Sequence, residues 1–256
     1  MRTITTALLL LPAAVLANSA FDGTWKQNMQ STRVMGKPEV LVLNEGEYTC
    51  SSCDPELKVK ADGAVHKVSG HAYYDAVSVR VVSPTTVEST LIQGGKVLTR
   101  LTETVSADGK TLTTKFTNHS GQKVMSGQTT AMRVANGPAG SHAISGSWLQ
   151  NQAEGNDAYR TMQLSMTADG FSWHQNGQGY DAKFDGKEYP VVGDPGHTTV
   201  TLNKIDANTV QEIDHRQGKV VDEIQMAAAL DGKTVKVTDR DLAHGQTTTY
   251  TLDKQP

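Results

Sequence analysis

Cys50 and Cys53 are the only cysteines in the chain, and their C-x-x-C spacing admits three chemistries. It can be a redox pair, half of a zinc site or a short structural disulfide. A redox pair needs its first thiol at a helix N-terminus, where the dipole favours the thiolate. Here Pro55 and the alternating stretch Leu57-Lys58-Val59-Lys60-Ala61 follow instead. Zinc needs four ligands; no second C-x-x-C occurs, and His66 and His71 follow at spacings unlike a common zinc finger. The favoured reading is a structural clip, worth about 2 kcal/mol by loop-closure arithmetic for so small a ring. Redox and metal chemistry stay open as the lesser readings.

Two further groups of residues could bind or transfer protons. Gly70-His71-Ala72-Tyr73-Tyr74-Asp75 gathers an imidazole, two phenols and a carboxylate. It reads as a polar rim at a barrel mouth, as an acid/base group or, more plainly, as a loop whose tyrosine rings pack on the barrel end. Glu103 and Asp222 stand inside alternating runs. Val97, Thr99, Leu101, Glu103 and Val105 share one face; Val220, Asp222, Ile224 and Met226 share another. A carboxylate there is costly in a packed core unless paired and natural in a ligand cavity. The plainer reading is a bulge that turns both carboxylates to solvent. His71, Tyr73, Tyr74, Thr99, Glu103 and Asp222 are therefore the candidate ligand-binding residues. No G-x-S-x-G, H-E-x-x-H, Walker or dinucleotide fingerprint occurs, so no catalytic residue, metal ligand or cofactor is assigned.

The chain around these residues opens MRTITTALLLLPAAVLANSA: one Arg, an apolar run at 7–16, then small residues. That is the pattern of a signal peptide over 1–20, its core half the length of a bilayer-spanning helix, which needs about twenty residues. A periplasmic or secreted protein without membrane insertion is expected. Loss of Arg2 takes the formal charge from −3 to −4. No basic run stands out, which argues against a nucleic-acid partner.

The positioning elements come in two copies. Phe21-Asp22-Gly23-Thr24-Trp25-Lys26-Gln27-Asn28 recurs as Ile144-Ser145-Gly146-Ser147-Trp148-Leu149-Gln150-Asn151, an offset of 123. The offset persists to Asp108-Gly109-Lys110-Thr111 against Asp231-Gly232-Lys233-Thr234, and only the last hairpin slips, to 118. Cys50 and Cys53 meet Trp173 and Asn176 in the second copy, so the repeated fold does not need the cysteines. The expected domains are repeat one at 21–135, a Gly/Pro-containing linker at 136–143 and repeat two at 144–256.

Period-2 alternation dominates both copies, and Asp-Gly or Gly-Gly pairs recur where tight hairpins need positive φ. With about eight to ten short strands per copy, closure into a barrel removes exposed edges. The expected fold is all-β: two tandem antiparallel meander barrels related by duplication. The Gly-x-Trp element at Gly23-Thr24-Trp25 and Gly146-Ser147-Trp148 resembles the opening of the lipocalin, fatty-acid-binding and avidin superfamily. Strings such as KADG, GHAYYD, VSADGKTLT and FDGKEYPVVGDP resemble a group of exported bacterial lipocalin-like proteins. The resemblance implies calycin-type barrels, with Trp25 and Trp148 each closing one end.

Three functions compete. The favoured one is an exported protein holding a small apolar or amphipathic ligand in a barrel cavity. The second is a non-catalytic structural or interaction module of the cell envelope, which a low aromatic content supports (4 Phe, 7 Tyr and 3 Trp). The third and least favoured is an enzyme using His71, Tyr74 and Asp75 or a lumenal carboxylate.

Overall fold

The computed structural model describes residues 19–256; the signal-peptide reading at 1–20 falls outside the described residues except for its last two. Repeat one supplies β1 (Gly23–Gly36), β2 (Glu39–Asn44), β3 (Glu47–Cys50), β4 (Leu57–Lys60) and β5 (Asp62–Lys67). It continues with β6 (Ala76–Ser83), β7 (Thr86–Gln93), β8 (Lys96–Val105), β9 (Thr111–Asn118) and β10 (Met125–Asn136). Repeat two supplies β11 (Gly146–Gly155), the one-turn helix α1 (Asp157–Arg160), β12 (Thr161–Met166), β13 (Gly170–Gln175), β14 (Gln178–Lys183) and β15 (Tyr189–Pro190). Its last strands are β16 (Thr199–Lys204), β17 (Thr209–Arg216), β18 (Lys219–Ala228), β19 (Thr234–Asp241) and β20 (Gln246–Lys254). Among the described residues, no helix is long and apolar enough to cross a membrane.

The strands form two antiparallel ten-stranded sheets, each nearly closed into a barrel. In barrel I the order is β4-β3-β2-β11-β10-β9-β8-β7-β6-β5; in barrel II it is β14-β13-β12-β1-β20-β19-β18-β17-β16-β15. The sheets do not follow the repeat boundaries drawn at 21–135 and 144–256. Each barrel takes one strand from the other repeat: β1 lies between β12 and β20, and β11 between β10 and β2.

The crossing is made at Gly36-Lys37-Pro38, where a type I′ turn, with positive φ at both loop positions, is closed to proline, locked near −65°. The chain runs straight on. Gly36 pairs with Gln246 in barrel II, and three residues later Glu39 pairs with Trp148 in barrel I. Gly36 has φ +121°, and a Cβ at this position would run into the Gly245 carbonyl oxygen.

The cores record the same exchange. Phe21 and Trp25 pack with Phe171, Val200, Leu202 and Leu252 of repeat two; Ile144 and Trp148 pack with Leu41, Val77, Val87 and Leu112 of repeat one. Each indole N–H donates to the carbonyl four residues back, Trp25 to Phe21 at 2.7 Å and Trp148 to Ile144 at 2.8 Å. A cation covers each ring: Lys254 Nζ lies 5.5 Å from the Trp25 ring centre, and Arg133 Cζ lies 4.0 Å from that of Trp148. Arg133 also donates to the Gly109, Ala143 and Ser145 carbonyls. Truncating either Trp would forfeit about 3–5 kcal/mol.

Cys50 and Cys53 are joined in a disulfide, with Cα atoms 5.4 Å apart. It clips the end of β3 to the approach to β4, and Cys50 lies in the core of barrel I.

The exchange makes a direct prediction. Separate chains covering 19–143 and 144–256 should each be non-cooperative or self-associated alone and should form a 1:1 complex with a sharp melt when mixed. A monomeric half with the melting temperature of the intact chain, seen by ultracentrifugation and circular dichroism, would contradict it.

Candidate functional site

A cavity of about 500 Å³ runs from the lumen of barrel I to its mouth. Its walls are Leu57, Val77, Leu91 and Leu101, carried inward by the alternation of β4, β6, β7 and β8. Glu103 and Ser89 lie on the same inner surface. Across the β7–β8 ladder Ser89 faces Leu101 and Glu103 faces Val87, so the two are diagonal neighbours. Glu103 is 5% exposed and Ser89 4%. Neither Glu103 Oε2 nor Ser89 Oγ has a hydrogen-bond partner. Burial, and then the nearby Glu39 carboxylate, push the Glu103 carboxyl up to about 8.

Of the six candidate ligand-binding residues, the structure brings four to this cavity: His71, Tyr73, Tyr74 and Glu103. His71 stacks on Tyr74, ring centres 4.4 Å apart, and burial lowers the imidazole pKa and raises the Tyr74 phenol to about 12. Asp75 makes no hydrogen bond to His71; its carboxylate accepts from the Gly94 N–H at 2.9 Å. Thr99 is not among the lining residues, and its hydroxyl accepts from Asn118 Nδ2 at 3.0 Å. Asp222 also stays outside, 3.4 Å from Arg216. The face expected to join Val220 to Asp222 breaks at a bulge, where pairing steps from Asp214–Asp222 to His215–Val220. Val220 is exposed, and the skipped Val221 lines the mouth of the barrel I cavity.

The mouths of the two barrels meet. Arg216, Lys219 and His244, from the β17–β18 and β19–β20 ends of barrel II, line the barrel I cavity. Tyr73 in return lines the lumen of barrel II, with Arg216 Cζ 5.0 Å from its ring centre. Gly196 leaves room for that ring: a Cβ there would lie 2.7 Å from Tyr73 Cε1.

Barrel II encloses a smaller space of about 300 Å³ among Tyr159, Trp173, Tyr180, Tyr250, Glu212 and Asp214. The Tyr180 hydroxyl donates to Glu212 Oε2 at 2.6 Å. Asp214 sits directly across from Asp222, and Asp239 from Ile224, so carboxyls accumulate across β17, β18 and β19. Burial, then mutual repulsion, raises Asp214 and Asp239, the latter to about 7; Glu212 is raised by burial against the Tyr180 hydrogen bond. Sequence reading missed this cluster, although Val210, Glu212 and Asp214 alternate in the same way as Leu101, Glu103 and Val105. A further depression of about 1180 Å³ lies beside β14 and α1; Tyr180 is among its lining residues, and Glu103, Glu212, Asp214 and Asp239 are not.

No protein-family model matches the chain, and neither a curated protein nor a solved structure matches it.

These carboxyls set a pH dependence. A carboxyl whose pKa is higher folded than unfolded adds stability that is complete below the unfolded value and is lost as pH rises through the folded one. For Glu103 that window runs from 4.5 to about 8. Melting temperature should therefore fall between pH 5 and pH 9. Glu103→Gln should flatten the fall, melting at least about 5 °C above the parent at pH 8.5, a few kcal/mol in a chain of this size, and converging with it near pH 4.5. Parallel curves for parent and variant, by scanning calorimetry, would show that Glu103 reaches water.

Proposed function

We propose that the protein is an exported binding protein that holds one small amphipathic molecule in the lumen of barrel I. The observation that carries this reading is the unpartnered pair Glu103 and Ser89, which line the cavity together with Leu57, Val77, Leu91 and Leu101. Buried polar groups are nearly always hydrogen-bonded, and leaving one unpaired costs about 1–3 kcal/mol. A ligand with a polar head and an apolar body supplies the missing partner and covers Leu57, Val77, Leu91 and Leu101. The cavity volume lies within the roughly 300–1,000 Å³ range of small-molecule sites.

Other features agree. The Gly-x-Trp elements and the two nearly closed barrels support a calycin-type relationship, a fold that often holds one ligand. The disulfide and the signal-peptide pattern support a periplasmic or secreted location. An enzyme built on His71 and Asp75 draws no support, since Asp75 is tied to the Gly94 backbone. Barrel II, with the smaller lumen, acts as the cap: its hairpin residues Lys219 and His244 reach the barrel I mouth.

Nile red, a neutral apolar fluorophore, tests the reading. It should bind the full chain saturably at 1:1, and at a hundredfold excess over Kd should stabilise it by about 2.7 kcal/mol. Leu101→Trp, which fills the cavity, should abolish binding while retaining the fold. Failure of the parent to bind, or equal binding by the filled variant, contradicts a lumenal site.

A further inference from the structure

We propose that the ligand of barrel I is an organic amine, its ammonium seated on Glu103 and Ser89 and its apolar body lying along the lumen. This rests on the binding reading above and names the head group. The observation is a buried carboxyl with, among the described residues, an unpartnered oxygen and no neighbouring cation. A buried carboxylate is ordinarily paired with a cation or a metal, and among the described residues Glu103 has neither a hydrogen-bond partner on Oε2 nor a cation acting on it.

The groups facing Glu103 make the same selection. From β2 comes Glu39, whose charge raises it, and from β3 the Tyr48 phenol, itself pushed up by burial and by Glu103. A ligand carboxylate would bring a negative charge beside Glu39 and could form no ion pair with Glu103. At the mouth stand the Asp54 carboxylate, the His71–Tyr74 stack and, from barrel II, Lys219 and His244. Arg216 is committed elsewhere, to Asp222 at 3.4 Å, to the Thr198 hydroxyl at 3.0 Å and to the Tyr73 ring. An ammonium on Glu103 meets a partner in low dielectric, where the attraction far exceeds its value in water.

The second repeat carries its buried carboxyl at a different position. Glu103 matches Met226 and Ser89 matches Glu212 at the offset of 123. Both repeats thus place one buried glutamate in the lumen, at diagonal positions on neighbouring strands. In barrel II Glu212 accepts a tyrosine hydroxyl; in barrel I the Glu103 oxygen is free to take a ligand.

Binding has a proton balance. At neutral pH Glu103 holds a proton in the empty lumen, because its titration is centred near 8. An entering alkylammonium keeps its three hydrogens, the carboxyl O–H breaks, and one proton leaves to solvent, giving a carboxylate–ammonium pair. Affinity for an amine should therefore rise with pH through neutrality.

The experiment compares octylamine, octanol and octanoate, one chain with three heads, by calorimetry on the full chain at pH 7 in phosphate and in Tris. The expected result is octylamine bound at least tenfold more tightly than the other two, with close to one proton released. Glu103→Gln should erase that preference and abolish the proton release. Glu103→Met, which installs the side chain the second repeat carries, is the alternative variant should the amide disturb folding. Octanol or octanoate bound more tightly, or an amine preference that survives both variants, overturns the proposal. Either result with Nile red still seated in the lumen leaves the binding reading standing; loss of Nile red and all three octyl ligands ends both.

Discussion

Closure of each barrel by a strand from the other repeat is the constraint on which the rest depends. Without β11 between β10 and β2, barrel I opens along its length and its apolar lining meets water. Without β1 between β12 and β20, barrel II does the same. Two repeats that could have been independent beads become one folding unit, because each core contains the other's opening aromatic residues, Phe21 with Trp25 and Ile144 with Trp148. The two mouths also meet, so that Arg216 and Tyr73 line both lumens.

A closed lumen gives the buried carboxyls their character. On an open sheet Glu103 would be an ordinary solvated acid. Enclosed by Leu101, Val87 and Tyr48, it is held toward its neutral form, and its oxygen lacks a partner. The two copies differ here: Ser89 and Glu103 stand where Glu212 and Met226 stand in the second copy, so the buried acid lies on a different strand in each. In the second copy the acid accepts from Tyr180.

Much of this was legible in the residues. The duplication, the turns at Asp-Gly pairs, the inward face of Glu103 and the Cys50–Cys53 clip all follow from local pattern, since period and turn chemistry act over a few residues. The strand exchange is a tertiary choice; its one local sign is negative, the lack of a usable hairpin at Gly36-Lys37-Pro38. Asp222 and Val220 were placed on one face because alternation cannot register a bulge, and the step at Asp214/His215 breaks the face between them. Thr99 shares the parity of Leu101 but bonds to Asn118 away from the cavity. The barrel II carboxyls carried the same alternating signature as Glu103. Only their convergence from three strands, which needs the fold, marks them as a cluster.

The most direct measurement is a carbon-13 NMR titration of the Glu103 side-chain carboxyl in the unliganded full chain. A dry lumen with no counter-ion predicts a midpoint near 8, the value that burial and Glu39 impose. A midpoint near the ordinary 4.5 would mean that water or a cation already reaches Glu103, and the lumen would then have no unfilled place for a ligand's polar head.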